Sequence, residues 1–264
     1  MPIIWKDFKT WDPLIREVLT RDLAPGIVVK IQERDTSSYG PDSWDWRDLL
    51  AEISGIPLEK LASDLARKLS ASRLRVYHGC RPVDINSYLT NGIRILRQED
   101  FVKEMREFIN ADPRLAGVDL DKKLKEYPRE YDQGKSFLTF DDRMMIEWAG
   151  HYLIYGSEWK AVLLGRSNWG ILLEQGTPTM LLIDLPGSFV PENILEQFAR
   201  DLLLEWTRHI ARPADPVNLK DHGVELERDL EPKYIVGHEH PIQLKDPWNE
   251  RKFYSVINLC CPNE

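Results

Sequence analysis

The 264-residue chain has few cysteines and no long apolar run. Its three cysteines include the adjacent pair Cys260 and Cys261, which cannot form a conventional disulfide framework and therefore indicate a reducing compartment. No segment approaches the roughly 20 consecutive apolar residues that span a bilayer. The first residues, MPIIWKDFKTW, are too polar for a signal peptide. We therefore expect no membrane contact and a cytoplasmic location.

The chain also lacks a cluster of basic residues. Lys and Arg total 35 against 43 Asp and Glu, which gives a net charge of −8. A surface that binds nucleic acid usually carries a basic stripe that follows the phosphates, so the composition favours a protein partner over a nucleic acid. The sequence contains no internal repeat and no low-complexity segment. Its balance of charged (30%) and hydrophobic (42%) residues is typical of a globular protein with a packed core.

A metal site is poorly supported by the sequence. His238-x-His240 and Cys260-Cys261 provide donor types that zinc prefers. There is, however, no second short-spaced ligand pair of the usual kind, and vicinal cysteines chelate one metal ion poorly. We therefore predict no metal site.

Residues 1–70 are predicted to form a mainly helical section without a chemical motif. Apolar residues recur at helical spacing from Trp5 to Leu19, and Pro25-Gly26 ends that element. The segment Ile27–Ile31 has the composition of a short strand. Helical patterns return from Trp46 onwards. We interpret this section as a packing or regulatory cap.

The stretch Arg73–Ile93 predicts a strand, a sharp turn at His78-Gly79 and a helix that stops at Gly92. An imidazole beside a bare backbone N–H can bind a flat amide or a ribose hydroxyl. Cys80 lies two residues after His78 on a strand end, where the two side chains point poorly at each other. We therefore do not expect a thiol nucleophile.

The next part of the chain, residues 97–133, is polar with two helical patterns. Such an excursion either borders a site or is a solvated insertion. After it, Ser136–Phe140 predicts a buried strand and Asp141 to about Tyr155 a single helix. One face of that helix is predicted to form an aromatic stripe, which suits either a core or a cofactor platform, made of Met144, Trp148, Tyr152 and Tyr155.

The last part of the chain predicts more strands and one long helix. The strands are Lys160–Leu164 and Met180–Leu185, and the helix is Pro191–Ile210. In Gly223–Leu230, apolar residues alternate with Glu225 and Glu227, which are either site carboxylates or the solvated face of an edge strand. The element order lacks regular alternation of strands and helices. It therefore predicts an α+β fold with two packed, mostly antiparallel sheets.

Three of these segments together resemble the ADP-ribosyltransferase superfamily. They are YHGCRPVDINSYLTNGI, GKSFLTFDDRMMIEWAGHY and GVELERDLEPKYIVGHEH, in that order. The likeness is closest to the diphtheria-toxin and poly(ADP-ribose) polymerase branch, of the His-Tyr-Glu type, and covers roughly Arg73 to Leu244. It implies a split β-sandwich catalytic domain over 71–264, with the polar insertion at about 97–133, after the helical section 1–70.

The resemblance also implies roles for residues at an NAD site. His78 would bond the adenosine-side ribose, and the Gly79 backbone would bind the nicotinamide amide. A glutamate would stabilise the oxocarbenium-like cation, Glu227 being favoured over Glu225, with Glu231 and Glu239 as alternatives in another strand register. The implied NAD-binding set is Tyr77, His78, Gly79, Cys80, Phe137, Trp148 and Tyr152.

The sequence departs from the family pattern at two positions. Cys80 replaces the usual Thr or Ser, and Leu138 stands where the first stacking tyrosine is expected. Phe137 or Phe140 would then substitute for that ring. The second ring would come from Tyr152, or from Trp148 one turn away.

The resulting hypothesis is a mono-ADP-ribosyltransferase that moves ADP-ribose from NAD to a macromolecular acceptor, with a protein favoured over a nucleic acid. Such an enzyme would be a toxin, effector or defence protein, acting in the cytoplasm or delivered into a target cell, with a possible neutralising partner protein. One alternative is a catalytically inactive binding module of the same fold. The other is an enzyme like the RNA 2′-phosphotransferases, for which only Arg75 and Arg81 flank the motif.

Overall fold

The computed structural model describes residues 1–20, 26–95, 97–128, 134–220 and 222–256. It divides into two compact units. Unit 1 comprises residues 1–75 and 184–224, and unit 2 comprises residues 76–183 and those from 225 onwards. The helical N-terminal section therefore forms a unit together with 184–224, a region that the sequence-based division had grouped with residues 71–264.

Helices and strands are numbered here in chain order. The helices are α1 (Asp12–Thr20), α2 (Ile27–Glu33), α3 (Asp45–Ser54), α4 (Leu58–Ser70), α5 (Asn86–Asn91), α6 (Gln98–Ala111), α7 (Leu120–Glu126), α8 (Asp142–Glu147), α9 (His151–Tyr155), α10 (Glu158–Leu164), α11 (Trp169–Leu173) and α12 (Glu192–Ala211). The strands are β1 (Arg73–Cys80), β2 (Ser136–Thr139), β3 (Thr179–Pro186), β4 (Gly223–Leu226), β5 (Ile235–Glu239), β6 (Gln243–Asp246) and β7 (Lys252–Ser255).

Unit 1 is built around α12, which packs against α2, α3 and α4. Its core contains nearly fully buried tryptophans whose indole N–H groups find acceptors. Trp206 Nε1 donates to Asp12 Oδ1 at 2.8 Å, and Trp5 Nε1 donates to the Asn218 carbonyl at 2.8 Å. A buried indole N–H without an acceptor would cost free energy, so these bonds fix where the rings can lie.

The predicted strand at Ile27–Ile31 is wrong, because this segment forms helix α2. Its β-branched residues favour a strand by propensity. In the helix Ile31 is fully buried while the neighbouring Val29 is exposed, and α2 packs against α3 and α12. Packing against helices here outweighs a weak local preference.

The two sheets make the fold α+β, as the sequence predicted. The larger sheet is antiparallel and has the strand order β4-β2-β1-β3-β5, with Tyr77 paired to Thr139 and Met180 paired to Glu239. The smaller sheet pairs β6 with β7. The predicted strand at Met180–Leu185 lies within β3, and the predicted long helix corresponds to α12.

The single helix predicted from Asp141 to Tyr155 is broken in two. Asp141 caps α8 by accepting from the Arg143 N–H, and α8 ends before Trp148. Gly150 then approaches the carbonyl of Lys245 in β6 so closely that a Cβ there would collide with it. The sheet β6–β7 therefore interrupts the helix, and the four predicted aromatic-stripe positions do not share one face.

The predicted strand at Lys160–Leu164 is also wrong, because these residues belong to α10. Ser157 caps this helix by accepting from the Lys160 N–H at 3.3 Å, and Gly165 ends it. A short apolar run cannot by itself be assigned to a strand or a helix. Ser157, a residue type favoured at helix N-caps, was the local signal in the sequence for a helix.

The polar insertion contributes to the core of unit 2 through its apolar faces. Phe101 and Met105 on α6 are buried, as are Leu115 and Leu120. The Phe101 ring stacks on Trp159 with centroids 4.3 Å apart and planes 8° from parallel. The helical patterns predicted in this insertion are therefore confirmed, and its residues 129–133 lie outside the described residues. No helix in the described ranges is long and apolar enough to cross a membrane.

Candidate functional site

Unit 2 contains a cleft with a volume of about 1080 Å³. Much of its lining comes from the end of β1, α5, α6, the start of β2 and the segment from Tyr155 to Lys160, and α8, α9 and α11 also contribute. Gly92 ends α5 at φ +76 and packs against the Leu230 carbonyl, so the residues after α5 run beside the chain that follows β4. A concave site of this size is large enough for a nucleotide-sized ligand.

His78 lines the cleft and joins β1 to β2 by a side-chain hydrogen bond. Its Nδ1 lies 2.9 Å from the Phe137 carbonyl oxygen. A carbonyl only accepts, so Nδ1 carries the hydrogen and Nε2 is left as an acceptor in the neutral ring. Burial lowers the pKa of His78 below its ordinary value, which keeps the ring neutral at pH 7.

The residues that follow His78 are packed tightly. A Cβ at Gly79 would lie 3.2 Å from Met145 Sδ, so the bare backbone fits this position closely. Cys80 hydrogen-bonds with Tyr88, and burial raises the pKa of the thiol to about 12. A thiol whose pKa is raised in this way is almost entirely protonated at neutral pH, and the protonated form is a poor nucleophile.

Two of the predicted aromatic residues line the cleft, and two do not. Phe137 and Tyr152 are half-buried in its wall, and Tyr152 Oη lies 3.4 Å from Glu158 Oε2. Tyr77 is instead buried in the core cluster. Trp148 is 48% exposed, and the Arg251 guanidinium lies 3.9 Å from its ring centroid.

Strand alternation explains the aromatic substitution at β2. Leu138, at the position of the missing tyrosine, is buried, as is Phe140. Phe137 belongs to the opposite face of the strand and lines the cleft. Of the two phenylalanines proposed as substitutes for the missing tyrosine, Phe137 is the one that lines the cleft.

Glu225 on β4 is connected to the cleft, whereas Glu227 is not. Lys135 Nζ lies 2.7 Å from Glu225 Oε2, and Lys135 lines the cleft. Neither glutamate is itself in the lining, and Glu227 follows the end of β4 and is exposed. The two alternatives are also exposed: Glu231 pairs with Lys233 at 2.9 Å, and Glu239 ends β5.

The sequence-based reading missed several charged residues of the cleft. Asp100, Glu104 and Glu107 line it from one face of α6, at the spacing of four and three residues that places helix positions side by side. That spacing was visible in the sequence. Lys160 also lines the cleft and was missed because its segment was assigned to a strand.

The two histidines considered as metal donors have their rings 5.2 Å apart, measured between centroids. His240 Nδ1 lies 2.9 Å from the Pro178 carbonyl oxygen, a contact that uses one ring nitrogen. The cysteines considered with them, Cys260 and Cys261, lie outside the described residues.

Comparison with known proteins gives no relative on which to base an assignment. No family model, no curated protein and no solved structure matches this chain.

Proposed function

We propose that the cleft binds NAD and that the protein is a mono-ADP-ribosyltransferase with a split β-sandwich fold, acting on a protein acceptor. The observation that carries this proposal is the adjacency of the three motif strands. Strand β4 with Glu225 lies beside β2 with Phe137, and β2 lies beside β1 with His78. Motifs far apart in the chain therefore meet at neighbouring strands.

The contacts in the cleft suit the chemistry that the proposal requires. A neutral His78 with an open Nε2 can accept a hydrogen bond from a ribose hydroxyl. The close-packed Gly79 backbone offers amide groups to the nicotinamide carboxamide, and Phe137 and Tyr152 supply flat faces for its ring. Breaking the N-glycosidic bond then requires a carboxylate near the developing cation.

We assign that carboxylate to Glu225 in place of Glu227. Glu225 is half-buried beside Lys135, a cleft-lining residue, whereas Glu227 is exposed after the strand end. A partly buried carboxylate stabilises a nearby cation more strongly than an exposed one, because water screens it less.

Nicotinamide release from NAD tests both the activity and the choice of glutamate without knowledge of the acceptor. Glu225→Gln should lower the rate by at least roughly 100-fold, the usual scale for losing a catalytic acid or base. Glu227→Gln is the matched control and should retain most of the rate. Circular dichroism verifies that both variants fold. Absence of NAD binding and turnover in the unmodified protein would refute the proposal. A larger loss of rate in Glu227→Gln than in Glu225→Gln would instead assign the catalytic carboxylate to Glu227.

A catalytically inactive binding module is the second candidate. It is favoured by Leu138 in place of the stacking tyrosine and by the Lys135 cation on Glu225. Calorimetry with NAD, combined with the release assay, separates the candidates, since the module would bind without turnover or not bind.

An enzyme like the RNA 2′-phosphotransferases is less well supported. Arg75 Nε donates to Asp184 Oδ1 at 2.6 Å, so its charge is already balanced. Arg81 donates to the carbonyls of Leu173 and Gln175, both at 2.6 Å. These contacts use Arg75 and two of the three guanidinium nitrogens of Arg81, the arginines that flank the motif.

A further inference from the structure

Glu158 is a cleft-lining carboxylate that the NAD proposal does not use. It is the first residue of α10 and is half-buried, whereas the three acidic residues of α6 in the same lining are exposed. The Tyr152 hydroxyl donates to it, with Oη 3.4 Å from Glu158 Oε2. Tyr152 is one of the two rings that we assign to the nicotinamide. A carboxylate held beside that ring is therefore close to the bond that the transfer would break.

The backbone that carries Glu158 is fixed on both sides. Before it, Gly156 packs so closely on the chain after β1 that a Cβ there would lie 3.1 Å from Arg81 Cβ. Ser157 caps α10, and Trp159 is only 3% exposed and belongs to the core cluster of unit 2. Glu158 is therefore held beside the end of the strand that carries the proposed NAD-binding motif. A group on such a rigid backbone is suited to catalysis, which requires a well-defined geometry.

The proposed transfer also needs a proton acceptor. Nicotinamide is a cationic pyridinium in NAD and leaves as a neutral base, so its departure requires no acid. A nucleophile that attacks through O–H or N–H must, however, lose a proton. Glu225 is assigned to the developing cation and is ion-paired with Lys135, an arrangement that favours its charged form. A second carboxylate is therefore the natural base.

We propose that Glu158 is the general base of the transfer, positioned by the Tyr152 hydroxyl, and that the acceptor is a hydroxyl or N–H group. This inference rests on the proposed transferase function. The lone pair of the attacking oxygen or nitrogen forms a bond to the anomeric carbon of the nicotinamide ribose. The electrons of the broken C–N bond leave with nicotinamide, and the proton of the attacking group passes to Glu158. A carboxylate acceptor is excluded, because it has no proton to lose.

The test measures nicotinamide release with water as the acceptor. Glu158→Ala should lower the rate at least roughly 100-fold, the usual scale for losing a general base. Sodium azide is a nucleophile without a proton, so it should raise the rate of this variant at least roughly tenfold by removing the need for the base. The product should then be ADP-ribosyl azide, identified by mass spectrometry. Azide should change the rate of the unmodified protein little, because the Glu158 carboxylate repels it. Glu99→Ala, which changes an exposed glutamate of α6 outside the lining, is the control and should retain the rate.

A second variant tests the positioning without removing the carboxylate. Tyr152→Phe keeps the ring and loses only the hydroxyl, so kcat should fall several-fold while the NAD affinity measured by calorimetry stays the same. An unchanged kcat in Tyr152→Phe would overturn the inference, even if Glu158→Ala fails to fold.

The other outcomes separate this inference from the proposed function. No nicotinamide release from the unmodified protein would overturn both. Normal release from the unmodified protein and from Glu158→Ala would overturn the inference alone. A loss of rate in Glu158→Ala that azide does not restore would show a structural effect of the substitution and would likewise overturn the role of Glu158 as a base.

Discussion

The ion pair between Lys135 and Glu225 joins the cleft wall to strand β4 and has two consequences for the proposed chemistry. It holds the carboxylate in one orientation, and it places a cation next to the charge that should stabilise the transition state. The Lys135 side chain is 17% exposed and that of Glu225 37%, so the pair is only partly screened by water. We regard Lys135 as a positioning residue rather than a catalytic one.

This role predicts a specific pattern for two substitutions. Lys135→Met should lower kcat for nicotinamide release by roughly tenfold with a small change in KM, because orientation matters most in the transition state. Lys135→Arg can still pair with Glu225 and should recover most of the rate. If Lys135 had only a structural role, the rate of nicotinamide release would fall in both variants in proportion to their loss of stability. Equal loss in the two variants, with unchanged melting temperatures, would also contradict the assignment.

His78 predicts how stability depends on pH. Its pKa in the folded protein is depressed by burial below the ordinary 6.5, so as pH falls the unfolded chain takes up the proton first. The free energy of unfolding should therefore be fully retained above about pH 6.5 and decline as the pH falls below it.

Urea unfolding at several pH values measures this decline. His78→Gln can still donate to the Phe137 carbonyl and should show a shallower decline. Some decline should remain, because the pKa of His238 is also lowered by burial and by His240. An unchanged slope in His78→Gln would contradict the expectation.

At the scale of elements, the break between α8 and α9 decides which aromatic residue faces the cleft. A continuous helix would have put Trp148 and Tyr152 on one face. The break leaves Tyr152 in the lining and Trp148 outside it, under Arg251. Tyr152→Ala should therefore weaken NAD binding by about 1 kcal/mol, the scale of one aromatic stacking contact. Trp148→Ala should leave the affinity unchanged in the same calorimetric titration, and the opposite result would place the nicotinamide elsewhere.

The turn after α5 contributes Gly92 to the cleft lining and runs beside the chain that follows β4. Gly92 has a φ that side chains rarely adopt, and a Cβ there would collide with the Leu230 carbonyl. Gly92→Ala should cost at least roughly 1–3 kcal/mol of unfolding free energy. Gly117→Ala is the control, since nothing lies within 4 Å of its Cβ position, and should be nearly neutral. Similar denaturation midpoints for both variants would contradict this account.

The sequence predicted the elements whose signals are local and failed where tertiary contacts decide. The glycine stop at Gly92 and the helical pattern around Phe101 and Met105 were readable, because caps and periodicity are local. Ile27–Ile31 and Lys160–Leu164 were misassigned because apolar runs of that length suit either element. The break at Gly150 depends on the carbonyl of Lys245, almost one hundred positions later, and no local pattern reports it.

The candidate site was predictable to a similar extent. His78, Gly79 and Phe137 follow from the strand motifs and line the cleft. The choice between Glu225 and Glu227 was not predictable from the sequence, because it depends on where β4 ends and on the ion-pair partner Lys135. Both are non-local facts, since strand pairing and ion pairs join residues far apart in the chain.

At the scale of the whole molecule, the division into units predicts what truncation does. Residues 1–70 could be removed harmlessly if 71–264 were an independent domain. In unit 1, however, α12 packs along α4, and its residues Phe198, Leu202 and Trp206 are almost fully buried. Removing the first 70 residues would expose that apolar face, and each large side chain loses roughly 1.5–3 kcal/mol of burial.

We therefore expect the fragment 71–264 to aggregate or to bind a hydrophobic dye when it is expressed alone. Three substitutions on α12, Phe198→Glu, Leu202→Lys and Trp206→Gln, test the cause. They should improve the solubility of the fragment and destabilise the full-length chain. The same apolar face is exposed in the fragment, where it promotes aggregation, and buried in the core of the full-length chain. A fragment that is monomeric and melts cooperatively without them would show that residues 184–224 need no partner from the first 70 residues, and would restore the division at residue 70.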